Sequence, residues 1–283
     1  MRNKRGPLIL FFLVLIFGFL YTISQPPAGI GGPLNERSFI QDNGDGSLTL
    51  FAYALSSSGD PDEASYFCGV GDGQAENADA SWDTCHDALY GNWGTEAETT
   101  NNLYVSEDSG YGIKRAFFPV DCTALPDDCT ITAAELWVYF LDIYYSDNDA
   151  NAWYNVVGET TQADPTLLDY LDFDTCGAVN NPTEGATRID LDAMSDGAYN
   201  TWTLNATGRG WIKKSGTGAA AYTRLGMREG HDCLDDPITG TGVYNGGTWR
   251  ASEYTGTASD PYLKITYTPA GGPAYVPKVI LIK

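Results

Sequence analysis

Histidine is nearly absent from this chain, with two in 283 residues, and methionine is rare at three. Catalysis by a Ser-His-Asp arrangement would have to recruit His86 or His231, and no Gly-x-Ser-x-Gly elbow accompanies them. Both sit beside aspartate, in His86-Asp87 and His231-Asp232-Cys233, which reads as polar loop. Basic residues are also scarce: 16 Lys and Arg face 37 Asp and Glu, a net charge of −21. Binding through nucleic-acid phosphates needs a basic surface and is excluded. No Cys-x-x-Cys occurs, so a zinc site is not expected. Long amphipathic helical periods are missing, which rules out a doubly wound α/β sheet.

Glycine, by contrast, is abundant at 32, aromatics reach 13 % and tyrosine alone contributes 18. Such a composition favours short aromatic strands between turns, and 43 % apolar content is enough to offset chain entropy. Alternating runs at residues 47–55, 113–120, 134–140, 152–157, 187–191, 199–204, 222–228, 247–253 and 262–267 read as strands. In 134–140 the alternation puts Leu136, Val138 and Phe140 on one face and Glu135, Trp137 and Tyr139 on the other. Only residues 206–214 read as helix, and two glycines hold that helix to a turn or two. Many short strands with turns between them argue for an antiparallel sandwich or barrel.

The ends differ from the body. Arg2, Lys4 and Arg5 precede an uncharged apolar run of 17 residues, 7–23, which is the pattern the export machinery reads. Residues 1–24 are expected to be a signal peptide or a signal anchor, which would reach the membrane if uncleaved. The chain from Gln25 onward is then exported to the exterior or cell surface. Gln25-Pro-Pro-Ala-Gly-Ile-Gly-Gly-Pro33 reads as a linker over 25–34. Residues 269–283 form a Pro-Gly hinge and an apolar tail, with Val276, Val279, Ile280, Leu281 and Ile282 as a last strand of its own domain or an assembly strand for another subunit. The folded body is then 35–268.

The six cysteines, Cys68, Cys85, Cys122, Cys129, Cys176 and Cys233, are expected to form disulfides in an exported chain. Neighbour pairing, Cys68–Cys85, Cys122–Cys129 and Cys176–Cys233, is the working expectation among the 15 pairings six cysteines allow.

Three blocks, in this order, resemble the exported β-sandwich domain called DNRLRE, which is related to a family of carbohydrate-binding modules. The first is Lys114-Arg-Ala-Phe-Phe-Pro-Val-Asp121, the turn Cys122-Thr-Ala-Leu-Pro-Asp-Asp-Cys129, and the strand that ends on Ala134-Glu-Leu-Trp-Val-Tyr139. The second is Trp202-Thr-Leu-Asn-Ala-Thr-Gly-Arg-Gly-Trp-Ile212, and the third runs from Arg250-Ala-Ser-Glu-Tyr254 to Asp260-Pro-Tyr-Leu-Lys-Ile-Thr-Tyr267. The likeness covers roughly residues 80–268, and Val120 stands where the family has phenylalanine. It implies an all-β fold, an antiparallel jelly-roll-like β-sandwich with one short helix. It also implies a non-catalytic surface-binding role, with a polysaccharide or cell-surface glycan as partner. Arg115 begins an otherwise apolar strand and needs a carboxylate, for which Asp121 is the near candidate in a structural ion pair.

No catalytic or metal residue is assigned and no cofactor is expected, calcium being left open. Asp42-Asn-Gly-Asp-Gly46 places Gln41 and Ala52 where a calcium loop needs oxygen ligands, so it reads as a tight turn. Asp147-Asn148-Asp149 and Asp235-Asp236 read as solvated loops. Aromatic faces stack on pyranose rings, and Trp137, Tyr139, Trp153 and Tyr154 are the candidate sugar contacts. The rival task is a structural subunit of an extracellular filament or surface layer, self-assembled through the tail.

Overall fold

A computed structural model of the chain describes residues 39–53, 72–95, 99–159, 161–165, 168–214, 222–254 and 258–270. The leader and linker, Cys68, and the tail with Val276, Val279, Ile280, Leu281 and Ile282 lie outside the described residues. Among the described residues no helix is long and apolar enough to cross a membrane.

Among the described residues thirteen strands join in one antiparallel sheet: β1 Phe39–Asp42, β2 Leu48–Tyr53, β3 Gly73–Asp79, β4 Trp93–Thr95, β5 Thr100–Glu107, β6 Tyr111–Asp121, β7 Thr130–Tyr145, β8 Trp153–Glu159, β9 Ile189–Asp190, β10 Ala198–Thr203, β11 Tyr222–Glu229, β12 Val243–Arg250 and β13 Tyr262–Thr268. The main path runs β1-β2-β13-β7-β12-β5-β6-β11-β8-β9. Two long strands organise it. On β7, residues 130–137 pair with β13 and residues 140–145 with β12, while β10 takes the opposite edge over 135–140. β6 repeats the device, with β5 and β11 end to end on one edge and β3 on the other.

The sheet curls around a core into which alternate residues point. Leu136, Val138 and Phe140 of β7 are buried there with Phe118, Val156, Trp202, Leu225, Trp249 and Leu263. Strands far apart on the path meet across this core: Trp202 Nε1 of β10 donates to the Tyr154 carbonyl of β8 at 3.1 Å, and Phe140 stacks on Tyr154. Burying a side chain of this size contributes roughly 1.5–3 kcal/mol, so these rings carry much of the fold.

All nine expected strands are present, some with shifted ends. β12 begins four residues before its expected start because Gly246 and Gly247 continue the strand instead of breaking it. A Cβ on Gly246 would meet the Tyr104 Cβ at 2.3 Å, so only glycine lets β5 approach. The unexpected strands are β1, β3, β4 and β5. β3, Gly73–Asp79, has no strand composition and is held extended by β6 and β4 on its two edges. Between β1 and β2, Asp42 Oδ1 accepts from Gly44 N and Asp45 Oδ1 from Ser47 N, closing a tight turn with Gly44 and Gly46 at positive φ.

Helix α2, Ala206–Gly210, occupies the expected stretch, with Asn205 as N-cap accepting from Gly208 N at 3.0 Å. It is not the single short helix expected. α1 Trp82–His86, α3 Gly230–Leu234 and the 3-10 turns Tyr170–Thr175 and Leu191–Ala193 add to it. α1, α3 and the Tyr170–Thr175 turn help bury a second apolar cluster, Ile113, Phe117, Trp153, Val157 and Phe173, outside β6 and β8.

Candidate functional site

On one stretch of the sheet the described residues set half-buried rings on the outer face. Across β1, β2, β13, β7 and β10 the register sets outward residues in rows: Tyr53, Tyr262, Trp137 and Thr201 in one, Phe39, Phe51, Lys264 and Glu135 in the next. Tyr139 faces Tyr199 beyond them. Rings in register across strands sit within stacking distance. Phe39 stacks on Phe51 at 4.5 Å and Trp137 on Tyr262 at 5.6 Å, while Tyr199 stands edge-on to Trp137, Tyr139 and Tyr262.

All of these rings are half-buried. With strands about 4.8 Å apart, the Tyr53–Thr201 row is about 14 Å wide. Polar groups line it: Lys264 Nζ pairs with Glu135 Oε2 at 3.2 Å and lies over the Trp137 ring, whose Nε1 donates to the same carboxylate at 3.1 Å. The Tyr139 hydroxyl donates to the Gly197 carbonyl and that of Tyr199 to the Asp260 carbonyl. Burial pushes the Tyr262 hydroxyl up to about 12, so it stays a neutral donor. Beyond the next strands, Tyr104, Tyr111, Glu76, Asp79 and Asp108 line a groove of about 360 Å³.

Of the four expected sugar contacts, Trp137 and Tyr139 lie on this face. Trp153 and Tyr154 do not, and that expectation is corrected. Trp153 is 1 % exposed beneath the Arg188 guanidinium, 3.9 Å from its ring centre, and Tyr154 is fully buried with its hydroxyl donating to the Leu103 carbonyl at 2.6 Å. Both faces of β8 are covered, the inner by the core and the outer by the layer that holds α3, so neither ring can meet a ligand. The same face carries Tyr53, Tyr199 and Tyr262, which the sequence did not single out. Their outward parity was readable within each strand, but not which strands would lie side by side.

The expected Arg115–Asp121 pair is also corrected. Six residues along one strand separate them by about 20 Å, although both point the same way. Arg115 instead grips Asp232 of α3, Nε to Oδ2 at 3.0 Å and Nη2 to Oδ1 at 2.7 Å. Arg228 of β11 holds the same carboxylate, Nε to Oδ2 at 2.6 Å and Nη2 to Oδ1 at 2.8 Å. The remaining guanidinium donors reach the carbonyls of His86, Phe173, Ala178 and Val179, so the cluster ties α1, the 173–179 stretch and α3 to the sheet. Burial alone would raise the Asp232 carboxyl, but the two guanidiniums outweigh it and hold it far below the usual range. Asp121 meanwhile accepts from Thr123 N and Oγ1 in the turn after β6.

The described cysteines, Cys85, Cys122, Cys129, Cys176 and Cys233, are all buried free thiols, which corrects the Cys122–Cys129 and Cys176–Cys233 pairings. The 122–129 turn is closed by backbone bonds instead, Leu125 N to the Cys122 carbonyl and Cys129 N to the Pro126 carbonyl. Cys85 Sγ donates to the Asn77 carbonyl and Cys176 Sγ to that of Ala116. Burial pushes Cys85, Cys122 and Cys176 up to about 12, so these thiols are protonated and unreactive.

The two histidines differ in surroundings. Both nitrogens of His86 are engaged, Nδ1 with Asp87 Oδ1 at 2.7 Å and Nε2 with the Asp232 carbonyl at 2.8 Å. His231 has Nδ1 on Glu229 Oε1 at 2.9 Å, while Nε2 faces Asp149 Oδ2 at 3.5 Å and Asp147 Oδ2 at 3.9 Å.

Comparison with known protein families and with curated protein sequences finds no family model and no curated protein that matches this chain.

Proposed function

We propose that the chain is a non-catalytic β-sandwich protein of the exterior or cell surface that binds polysaccharide or a cell-surface glycan on the aromatic face of β2, β13, β7 and β10. The observation that carries this reading is the row of half-exposed rings on strands whose inner face is fully packed. Rings held by cross-strand register are preorganised, so a sugar chain meets them without an ordering cost. Hydroxyls, Lys264 and Glu135 beside the rings supply the polar partners a pyranose needs at its edge. The jelly-roll-like sandwich and the DNRLRE likeness are part of the same proposal. The sandwich reading draws on the antiparallel, curled sheet and on the short helix α2 that follows β10.

A panel of immobilised polysaccharides and glycans tests it, read against Trp137→Ala. The expected result is selective binding with tryptophan fluorescence quenching, at least tenfold weaker in the variant. Binding that is absent, or untouched by Trp137→Ala, would sink the glycan reading.

The rival task, a filament or surface-layer subunit, draws support from β1, the end strand of the path, whose far edge has no partner among the described residues. Light scattering decides it: polymers that deletion of 274–283 turns into folded monomers would put this reading first.

A further inference from the structure

We propose that His231, Asp147 and Asp149 form a binding site for a divalent transition-metal ion of the zinc class. The three candidate ligand atoms, His231 Nε2, Asp147 Oδ2 and Asp149 Oδ2, lie within 4.8 Å of one another. Zinc bonds of about 2.0–2.1 Å in tetrahedral geometry set neighbouring ligands roughly 3.4 Å apart. The observed separations from Nε2, 3.5 and 3.9 Å, are too long for good hydrogen bonds and close to that spacing.

The imidazole is the second, independent observation. His231 is 1 % exposed, and among the described residues its Nε2 makes no hydrogen bond although it is aimed at the two carboxylates. Its other nitrogen is held by Glu229 Oε1, a buried carboxylate, which is the carboxylate–histidine support that metal-binding imidazoles have.

The surroundings are built to the same end. Asn245 accepts from Asp147 N at 3.0 Å and donates to the Asp147 carbonyl at 2.7 Å, while also lying 3.5 Å from Glu229 Oε1. Asp149 Oδ1 accepts from Asn151 N at 2.7 Å, which leaves Oδ2 to face the histidine. At Gly230 a Cβ would meet the Asn151 carbonyl at 2.1 Å, so glycine lets the 147–151 loop close on α3. One imidazole with two carboxylates favours zinc over calcium, whose sites are all oxygen. Asp149 is half-exposed, so the fourth position opens to water or to an exogenous ligand. The other histidine cluster, His86 with Asp87 and Asp235, lacks this character because the 2.7 Å contact to Asp87 is already a hydrogen bond.

The test is titration of the purified full-length chain, stripped with a chelator, with Zn²⁺ by calorimetry, and with Co²⁺ as a spectroscopic probe. The expected result is one saturable equivalent, a rise in melting temperature on Zn²⁺ addition, and visible Co²⁺ d–d bands without a thiolate charge-transfer band. His231→Gln abolishes that equivalent, and Glu229→Gln weakens it about 10–100-fold. Asp149→Asn, at an exposed side chain where folding is not at stake, reports independently and should also remove it, whereas Asp87→Asn should leave it unchanged. Absent binding, binding indifferent to His231→Gln and Asp149→Asn, a thiolate band, or preference for Ca²⁺ over Zn²⁺ would each overturn the proposal.

Discussion

Outside β2, β13, β7 and β10 the sheet meets solvent through half-exposed rings; outside β6, β11 and β8 it is roofed by α1, α3 and the Tyr170–Thr175 turn. The two outer faces are held by different physics. On the open one, neighbours in register share modest pair energies of roughly 0.2–1 kcal/mol, and no single contact is critical. On the covered one, two guanidiniums share a single carboxylate at zero exposure, so each partner depends on the others. A face of the first kind tolerates change and is free to bind. A face of the second kind cannot lose a member without leaving an unpaired buried charge.

The sharpest way to break this comparison is Asp232→Ala. It strands Arg115 and Arg228 in the interior and should cost about 3–5 kcal/mol, read as a lower urea midpoint or failure to fold. A well-folded, equally stable variant would mean that the cover is not held by charge. The same residue sets an acid limit. A carboxyl whose folded value is depressed contributes stability that is complete above its ordinary value of about 4 and is lost as pH falls below it. Urea midpoints between pH 5 and pH 2 should therefore fall steeply in the wild type. The slope should shrink in Asp232→Asn where that variant folds.

On the open face, Trp137→Ala should lower stability by only about 0.5–1.5 kcal/mol while removing glycan binding, a split between the two readouts that a buried aromatic would not show. Lys264→Ala breaks an ion pair whose side chains are about one third exposed, and its stability change should stay below about 1 kcal/mol. Effects of several kcal/mol at either position would show the open face to be structural.

Much of the sheet was legible. Alternation in β7 assigned Leu136, Val138 and Phe140 inward and Trp137 and Tyr139 outward, because strand side chains alternate with period two and the core selects the apolar set. Illegible parts were those whose conformation comes from neighbours. β3 has the composition of a loop and is a strand because β6 and β4 hold it. β8 reads from its sequence only as a strand, and both its faces are buried, so Trp153 could not be told from Trp137 by composition alone. The cysteine count pointed to disulfides, whereas each described thiol is enclosed within the core, with a carbonyl or hydroxyl as partner where one is seen.

By itself the sequence determined the antiparallel all-β character, the inward and outward set of β7, the turn at 42–46 and the place of the short helix α2, all consequences of local geometry and period. Only the tertiary structure decided which strands set their outward rings side by side, which carboxylate meets Arg115 and which aspartates gather at each histidine. Arg115 and Asp232 are 117 positions apart, and Trp137 and Tyr262 meet through strand order. Local pattern constrains where a side chain points along its own strand, whereas its partner is set by how distant segments close on one another.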